Sequence, residues 1–431
     1  MPGLNIETLP TKSLVPYARN ARVHSPQQVK QIATSINKFG FLVPVLIDSS
    51  NQIIAGHGRI MAANKLKMHD VPCIRIEHLT EVQKRAYIIA DNKLTENASW
   101  DQEILALELK ELSDLDLDFN LDITGFHVNE IDLLIENVDK GDSDDDGEEE
   151  VIDIPAGPPI SKAGDIWQLG SHRIYCGNSL ENQSFQELLG DKKATMVITD
   201  PPYNVPIDGH VCGKGSAKHS EFAMASGEMS EAEFTQFLQS SFDLLINHSA
   251  NGSIHYIFMD WRHMQEILTA GKQYDELKNL CVWVKNNGGM GTFYRSRHEL
   301  VFIFKNGSAP HINNFELGQH GRYRSNVWEY AGINSVTARD ENGDNLLDLH
   351  PTVKPVNLLE DAIRDCSKRN DIVLDPFLGS GSTLLACEKS GRKCYGIEIE
   401  PKFVDVCIHR WEKLTGQKAE KISECKEVCH A

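Results

Sequence analysis

Asp200-Pro201-Pro202-Tyr203 gathers, in four residues, the groups needed to hold a flat, amine-bearing ring. An ionised Asp200 only accepts hydrogen bonds, two carbonyls stand with no competing N–H between them, and an aromatic ring follows. A nucleobase is a ring of that kind. The preceding run Met196-Val197-Ile198-Thr199 reads as a buried strand of a parallel sheet. Two consecutive prolines end that strand at once and make a rigid ledge at its carboxyl end, where open α/β sheets bind ligands.

A second element lies downstream. Ile372-Val373-Leu374 runs into Asp375-Pro376-Phe377-Leu378-Gly379-Ser380-Gly381-Ser382-Thr383 and then a helix over 384–389. Glycines after a strand let backbone N–H groups approach a ligand at a helix N-terminus. The next strand, Lys393-Cys394-Tyr395-Gly396-Ile397, ends at Glu398, placed to accept hydrogen bonds from ribose hydroxyls.

This second run looks like the S-adenosylmethionine pocket of amino-DNA methyltransferases. With both motifs present, residues 161–420 resemble the DNA N6-adenine/N4-cytosine methyltransferases. Because Asp-Pro-Pro-Tyr precedes the glycine turn, the order is that of the permuted β group. Two other blocks agree: His350-Pro351-Thr352-Val353-Lys354-Pro355, and Gly288-Gly289-Met290-Gly291 with Tyr294-Arg295-Ser296 and His298-Glu299. The resemblance implies a Rossmann-like, S-adenosylmethionine-dependent fold with circularly permuted motif order. It implies cofactor contacts from Asn178, Lys354, Asp375, Phe377, Gly379, Ser380, Gly381 and Glu398. Asn178 departs from the family, which commonly has an aspartate there; its amide oxygen can still accept from an exocyclic amine, so weakened cofactor binding is expected.

The chemistry expected of Asp200, Pro201, Pro202 and Tyr203 follows from the target's electronics. An exocyclic amine conjugated to a base is a poor nucleophile. Hydrogen bonds from it to the Asp200 carboxylate and the Pro201 carbonyl favour a pyramidal nitrogen with a localised lone pair. Tyr203 would stack on the base after it leaves the duplex, and the sulfonium methyl would be attacked in line. Asp rather than Ser at the first position leans toward adenine; N4 of cytosine is the alternative target. No metal is required.

The elements that must carry these residues alternate strand and helix, with strands expected at 196–199, 254–259, 281–285, 300–304, 372–374 and 393–397. Trp261, Trp283 and Trp328 read as core or rim, and His210, Lys218 and His219 as loop residues. Arg295, Arg297, Arg322 and Arg324 fall in a locally basic window, 285–324, and are candidate DNA contacts.

Residues 1–125 carry a different pattern. Ser25-Pro26 caps a helix that stops at Gly40, and two short strands lead into Gly56-His57-Gly58-Arg59, a glycine turn opening a helix through Leu66. With the segment 79–94, these residues resemble the small α+β ParB/sulfiredoxin-like N-terminal domain, in which the Gly-x-x-Arg turn handles phosphates. Arg59 is therefore the expected DNA contact. Ile60 follows it, and 96–99 carries no arginine, so an accessory DNA-binding role is expected rather than nucleotide hydrolysis or nuclease activity. A partition-type DNA-binding protein with a secondary catalytic domain is the reading from another class.

The 431 residues have a net charge of -19, of which the tract 130–153 contributes -11. That tract holds Asp144-Asp145-Asp146 and Glu148-Glu149-Glu150, so a disordered linker is expected over 126–160, followed by the catalytic domain and a tail at 421–431. The scattered cysteines suit reduced thiols; Cys425, Cys429 and His430, with Cys407 and His409, are too irregular to expect zinc. No apolar run spans a bilayer, and no signal-peptide pattern opens the chain. A cytoplasmic protein, bacterial or phage-encoded, acting on double-stranded DNA is expected, with a homodimer compatible and no membrane partner.

Overall fold

The computed structural model describes residues 4–115, 117, 119, 121–139, 158–204, 227–286, 294–315, 323–331 and 353–422. The chain divides into two compact units, Met1–Ser143 and Asp144–Ala431.

In the first unit β1 (Ile6–Pro10) is followed by α1 (Pro26–Phe39), β2 (Val45–Ile47), β3 (Ile53–Ala55), α2 (His57–Lys65), β4 (Asp70–Arg75), α3 (Glu81–Glu96), α4 (Gln102–Asp114) and α5 (Val128–Asp139). The strands form a mixed sheet in the order β1-β4-β2-β3. Helix α1 begins as its sequence requires: the Ser25 hydroxyl accepts from the Gln28 N–H, and Pro26 needs no partner there. Val29, Ala33 and Ile36, at helical spacing, pack on Ala62 of α2. Leu109 of α4 meets Ile131 and Ile135 of α5 in a separate small core. Helix α5 corrects the expected start of the linker at 126. Ile131 and Ile135 recur four residues apart, and burying that stripe outweighs the acidic composition. The acidic run 142–150 itself lies outside the described residues.

The second unit contains β5 (Ile166–Leu169), β6 (His172–Cys176), α6 (Asn182–Leu189), β7 (Ala194–Thr199), α7 (Glu231–His248), β8 (Ser249–Met259), α8 (Met264–Ala270), β9 (Glu276–Val284), β10 (His298–Lys305), β11 (Val327–Glu329), α9 (Val356–Cys366), β12 (Ile372–Asp375), α10 (Ser382–Ser390), β13 (Lys393–Glu398), α11 (Pro401–Thr415) and β14 (Glu420–Ile422). Its sheet runs β11-β9-β10-β8-β7-β12-β13-β6-β5-β14. Each of the six expected strands is present within a residue or a few of its expected ends.

The central strands β8, β7, β12, β13 and β6 are parallel. On the flanks β10 runs antiparallel to β8 and β9, and β5 antiparallel to β6 and β14, so the sheet is mixed rather than wholly parallel. Alternation along β7 sends Met196 and Ile198 to a core shared with α9, α10 and α11. Val197 goes to the opposite core, with α6 and α7. Both faces are thus covered, which is why the central strands read as unbroken apolar runs. From β7 the chain winds outward to β8, then returns to β12 on β7's other side. That reversal is a topological switch point, and it sets the ends of β7 and β12 side by side.

Candidate active site

Asp200 leaves the end of β7 and Asp375 ends β12, so the two sequence motifs flank the switch point. A buried hydrogen bond joins them: Thr199 Oγ1 donates to Asp375 Oδ1 at 2.8 Å. Asp375 Oδ2 accepts from Thr383 Oγ1 at 2.6 Å, and Oδ1 also accepts from the Phe377 N–H at 3.1 Å. Burial raises the Asp375 carboxyl to about 6 in spite of these donors.

The glycine turn is held from both sides. The Gly379 N–H donates to Glu398 Oε2 at 2.8 Å, and the Glu400 N–H donates to Oε1 at 2.9 Å. Burial pushes the Glu398 carboxyl up to about 7. Arg410 Nη1 donates to the Ser380 carbonyl at 2.7 Å. Gly381, the cap of α10, has φ of 86°, and a Cβ there would stand 2.8 Å from Cys407 Sγ. Only glycine meets both demands.

These residues fit S-adenosylmethionine. Glu398 keeps lone pairs for ribose hydroxyls. At the first turn of α10, Ser382 Oγ is buried and has no hydrogen-bond partner among the described residues. A buried hydroxyl without a partner costs free energy that a bound polar ligand would recover. Phe377, half-buried, adds an apolar wall with its ring 6.1 Å from that of Phe237.

Asn178 is engaged locally. Its Oδ1 accepts from the Leu180 N–H at 2.9 Å, and its amide donates to Glu181 Oε1 at 3.1 Å. The oxygen expected to face a cofactor amine is thus shared with an Asx turn.

Around Asp200 the structure gathers further charged side chains. Lys354, expected among the cofactor contacts, hydrogen-bonds to Asp200 Oδ2 and lies 3.2 Å from Glu299 Oε2. Lys285 hydrogen-bonds to Glu299 Oε1. The Tyr203 hydroxyl reaches Asp200 Oδ1 and is 3.4 Å from Glu299 Oε2. Burial raises the Asp200 carboxyl, Lys354 opposes the rise and Glu299 adds to it. Burial alone would raise Glu299 too, but Lys354 and Lys285 hold it below its ordinary value. Burial would lower the Lys354 ammonium; the two carboxylates overcome that and raise it. Pro201 is buried and Pro202 half-buried, as a ledge under the carboxylate should be. Asn204, in the left-handed region at φ of 53°, accepts from the Gly227 and Met229 N–H groups and so fixes where the chain rejoins α7.

Sequence reasoning did not single out Glu299, Lys285, Thr199 or Thr383 as site residues. Glu299 and Lys285 reach the site because β10 is antiparallel to β8, which brings the start of β10 and the end of β9 to the carboxyl edge of the parallel strands. The signal available was a charge abutting each apolar run, at Lys285 and Glu299.

Among the expected DNA contacts, Arg295 and Arg297 are exposed. Arg324 is not a surface cation. Its guanidinium bonds to Tyr330 Oη at 2.7 Å and to Asp365 at 3.2 Å, reaches Asp361 at 3.4 Å, and lies 5.3 Å from the Trp328 ring centroid. Two buried-edge carboxylates on α9 draw it inward. Arg322, the glycines 288–291, His350, His210, Lys218 and His219 lie outside the described residues, as do Cys425, Cys429 and His430. Trp283 and Trp328 are buried, whereas Trp261 is 47 % exposed at the end of β8.

In the first unit Gly56 caps α2 with φ of 105°, and Arg59 folds back over it: a Cβ on Gly56 would stand 3.0 Å from Arg59 Nη2. Burial lowers the Arg59 pKa, with Asp91 opposing. Cys73, Cys176, Cys281, Cys366, Cys387, Cys394 and Cys407 are free and buried. No helix among the described residues is long and apolar enough to cross a membrane.

Comparison with known proteins finds three matches along the chain, the middle one running across the boundary between the two units. Residues 2–93 match the ParB N-terminal domain, 103–163 the ParB-methyltransferase HTH domain, and 194–409 the N6/N4 DNA methylase family. The ParB-like nuclease domain-containing protein YnaK of Escherichia coli is 54% identical over 82 residues, covering 19% of this chain and 94% of that protein. The type II methyltransferase M2.MboI of Moraxella bovis is 25% identical over 256 residues, 56% of this chain and 88% of its own. The DNA adenine methyltransferase YhdJ of Escherichia coli is 32% identical over 132 residues, 31% of this chain and 40% of its own. With a ParB N-terminal domain ahead of a Rossmann-like, S-adenosylmethionine-dependent domain, the chain belongs to the N6/N4 DNA methylase family.

Proposed function

We propose that this protein methylates the N6 amine of an adenine flipped out of double-stranded DNA. The observation that carries the reading is Asp200, a carboxylate at the switch point, joined through Thr199 to the glycine turn that Glu398 organises. Asp200 accepts one N–H of the amine and the Pro201 carbonyl the other, so the nitrogen lone pair is drawn out of the ring. S-adenosylmethionine, when bound, supplies an electrophilic methyl group. Asp375 and Glu398 fix the glycine turn, and Tyr203 and Pro202 orient the base. Aspartate at the head of the motif and the likeness to an adenine methyltransferase favour adenine over cytosine.

The test is incubation of duplex DNA with labelled S-adenosylmethionine and digestion to nucleosides. N6-methyladenine is expected, and N4-methylcytosine alone overturns the assignment. Asp200→Ala should abolish transfer while cofactor binding persists. The N-terminal unit acts as an accessory DNA contact through Arg59. Removal of residues 1–143 should therefore weaken DNA binding and leave methylation of concentrated DNA measurable.

A further inference from the structure

Four charged side chains from four separate segments meet at the carboxyl edge of the sheet. Asp200 follows the end of β7, Lys285 follows β9, Glu299 is the second residue of β10, and Lys354 precedes α9. Two ammonium groups and two carboxylates balance. Lys354 is 5 % exposed, with its Nζ 5.2 Å from the Phe258 ring centroid and 5.7 Å from that of Tyr203.

This arrangement sets a problem for any amine that must bind Asp200. A neutral amine competes poorly with an ammonium for a carboxylate shielded from water. Lys354 has rings beside it rather than solvent, so leaving Asp200 would strand its charge unless a second carboxylate took it. Glu299 Oε2 is already 3.2 Å away. We propose that Glu299 is the holding carboxylate for Lys354: it keeps the ammonium in the site while Asp200 turns to the target amine. Glu299 is thereby a positioning residue that acts through Lys354. The inference rests on Asp200 being the acceptor of that amine.

Two contacts support it. The Tyr203 hydroxyl lies within reach of both carboxylates, so it too can remain with Glu299 when Asp200 changes partner. Lys285, bonded to the other Glu299 oxygen, keeps Glu299 ionised when Lys354 moves. The groups facing Asp200 are then Lys354, Glu299 and Tyr203, with Asp375 behind it on β12 and Lys285 acting through Glu299.

The experiment uses the full chain, duplex DNA and S-adenosylmethionine, with Glu299→Gln, Lys354→Gln and the double variant, each checked for folding by thermal melting and for cofactor binding by calorimetry. Glu299→Gln leaves Lys354 no alternative to Asp200, so kcat should fall about tenfold or more. Loss of the Glu299 charge also lets Asp200 ionise more easily, so the acid limb of the pH–rate profile moves to lower pH. In the Lys354→Gln background the same substitution should cost less than about twofold, because the two act as one unit. An unshifted acid limb, or equal losses in both backgrounds, overturns the inference. Should Glu299→Gln not fold, Glu299→Asp keeps the charge but draws it back; activity equal to the native protein would then overturn it. If Asp200→Ala retains activity, the reading of Asp200 itself fails. If Asp200→Ala is inactive while Glu299→Gln behaves as native, only the role of Glu299 is lost.

Discussion

Thr199 donates a 2.8 Å hydrogen bond to Asp375 across 176 residues of sequence, and through it the Asp-Pro-Pro-Tyr ledge and the glycine turn are joined. Its removal should be felt at both ends. Thr199→Val preserves shape but leaves Asp375 one donor short in a buried place. A loss of about 1–3 kcal/mol in urea unfolding is expected. The KM for S-adenosylmethionine should rise more than that for DNA, since Asp375 also holds Phe377 and Thr383. Equal KM values to the native enzyme would contradict the link.

Burial sets a pH dependence. Glu398 titrates at about 7 and Asp375 at about 6 in the folded protein, against ordinary values of 4.5 and 3.8. Both hold their protons more tightly folded than unfolded. The stability they contribute is therefore fully present below about pH 4 and is lost as pH rises through 6 to 7, by roughly 3 kcal/mol for Glu398. In the role proposed for Glu398, cofactor binding should run the opposite way, because an ionised carboxylate is the stronger acceptor for ribose hydroxyls. Calorimetry between pH 6 and 8 should show affinity rising with pH, and Glu398→Gln should remove that rise.

Gly381→Ala combines a positive φ with a Cβ 2.8 Å from Cys407 Sγ. A destabilisation of about 2–4 kcal/mol is expected, since the backbone strain and the contact add. Adding Cys407→Ala should recover the part due to Sγ and leave the part due to φ and to the Cβ and Cα of residue 407, 3.2 and 3.3 Å away. Thermal melting of the two variants separates these contributions.

Arg324 and Arg297 should part company in DNA binding. Arg324→Ala removes the cation beside Asp361 and Asp365 and should cost about 3 kcal/mol of stability. The slope of log affinity against log salt should stay unchanged, because Arg324 faces inward. Exposed Arg297, whose Nε donates to the Lys285 carbonyl at 3.1 Å, should lower that slope by about 1 when changed to alanine, with little effect on melting. A slope change on Arg324→Ala would return it to the DNA surface.

Much of the site was legible in the sequence because its signals are local. Asp-Pro-Pro-Tyr must turn wherever a strand delivers it, and Gly379-Ser380-Gly381 must approach something closely. The six apolar runs became strands because a sheet covered on both faces leaves no polar positions in its centre. The false start of the linker has the same local origin: charge in 130–153 masked an amphipathic stripe that only pairing with α4 makes worth burying.

By itself, then, the sequence determined the two motifs, their order, the cofactor turn and the ParB-like unit ahead of them, since each depends on residues within a few positions of one another. Tertiary structure alone decided who stands beside Asp200. Strand direction is not written in an apolar run, and the reversal of β10 carries Glu299, with Lys285 from the end of β9, to the carboxyl edge. Lys354 joins Asp200 because buried opposite charges must meet somewhere. Arg324 turns inward for the same reason.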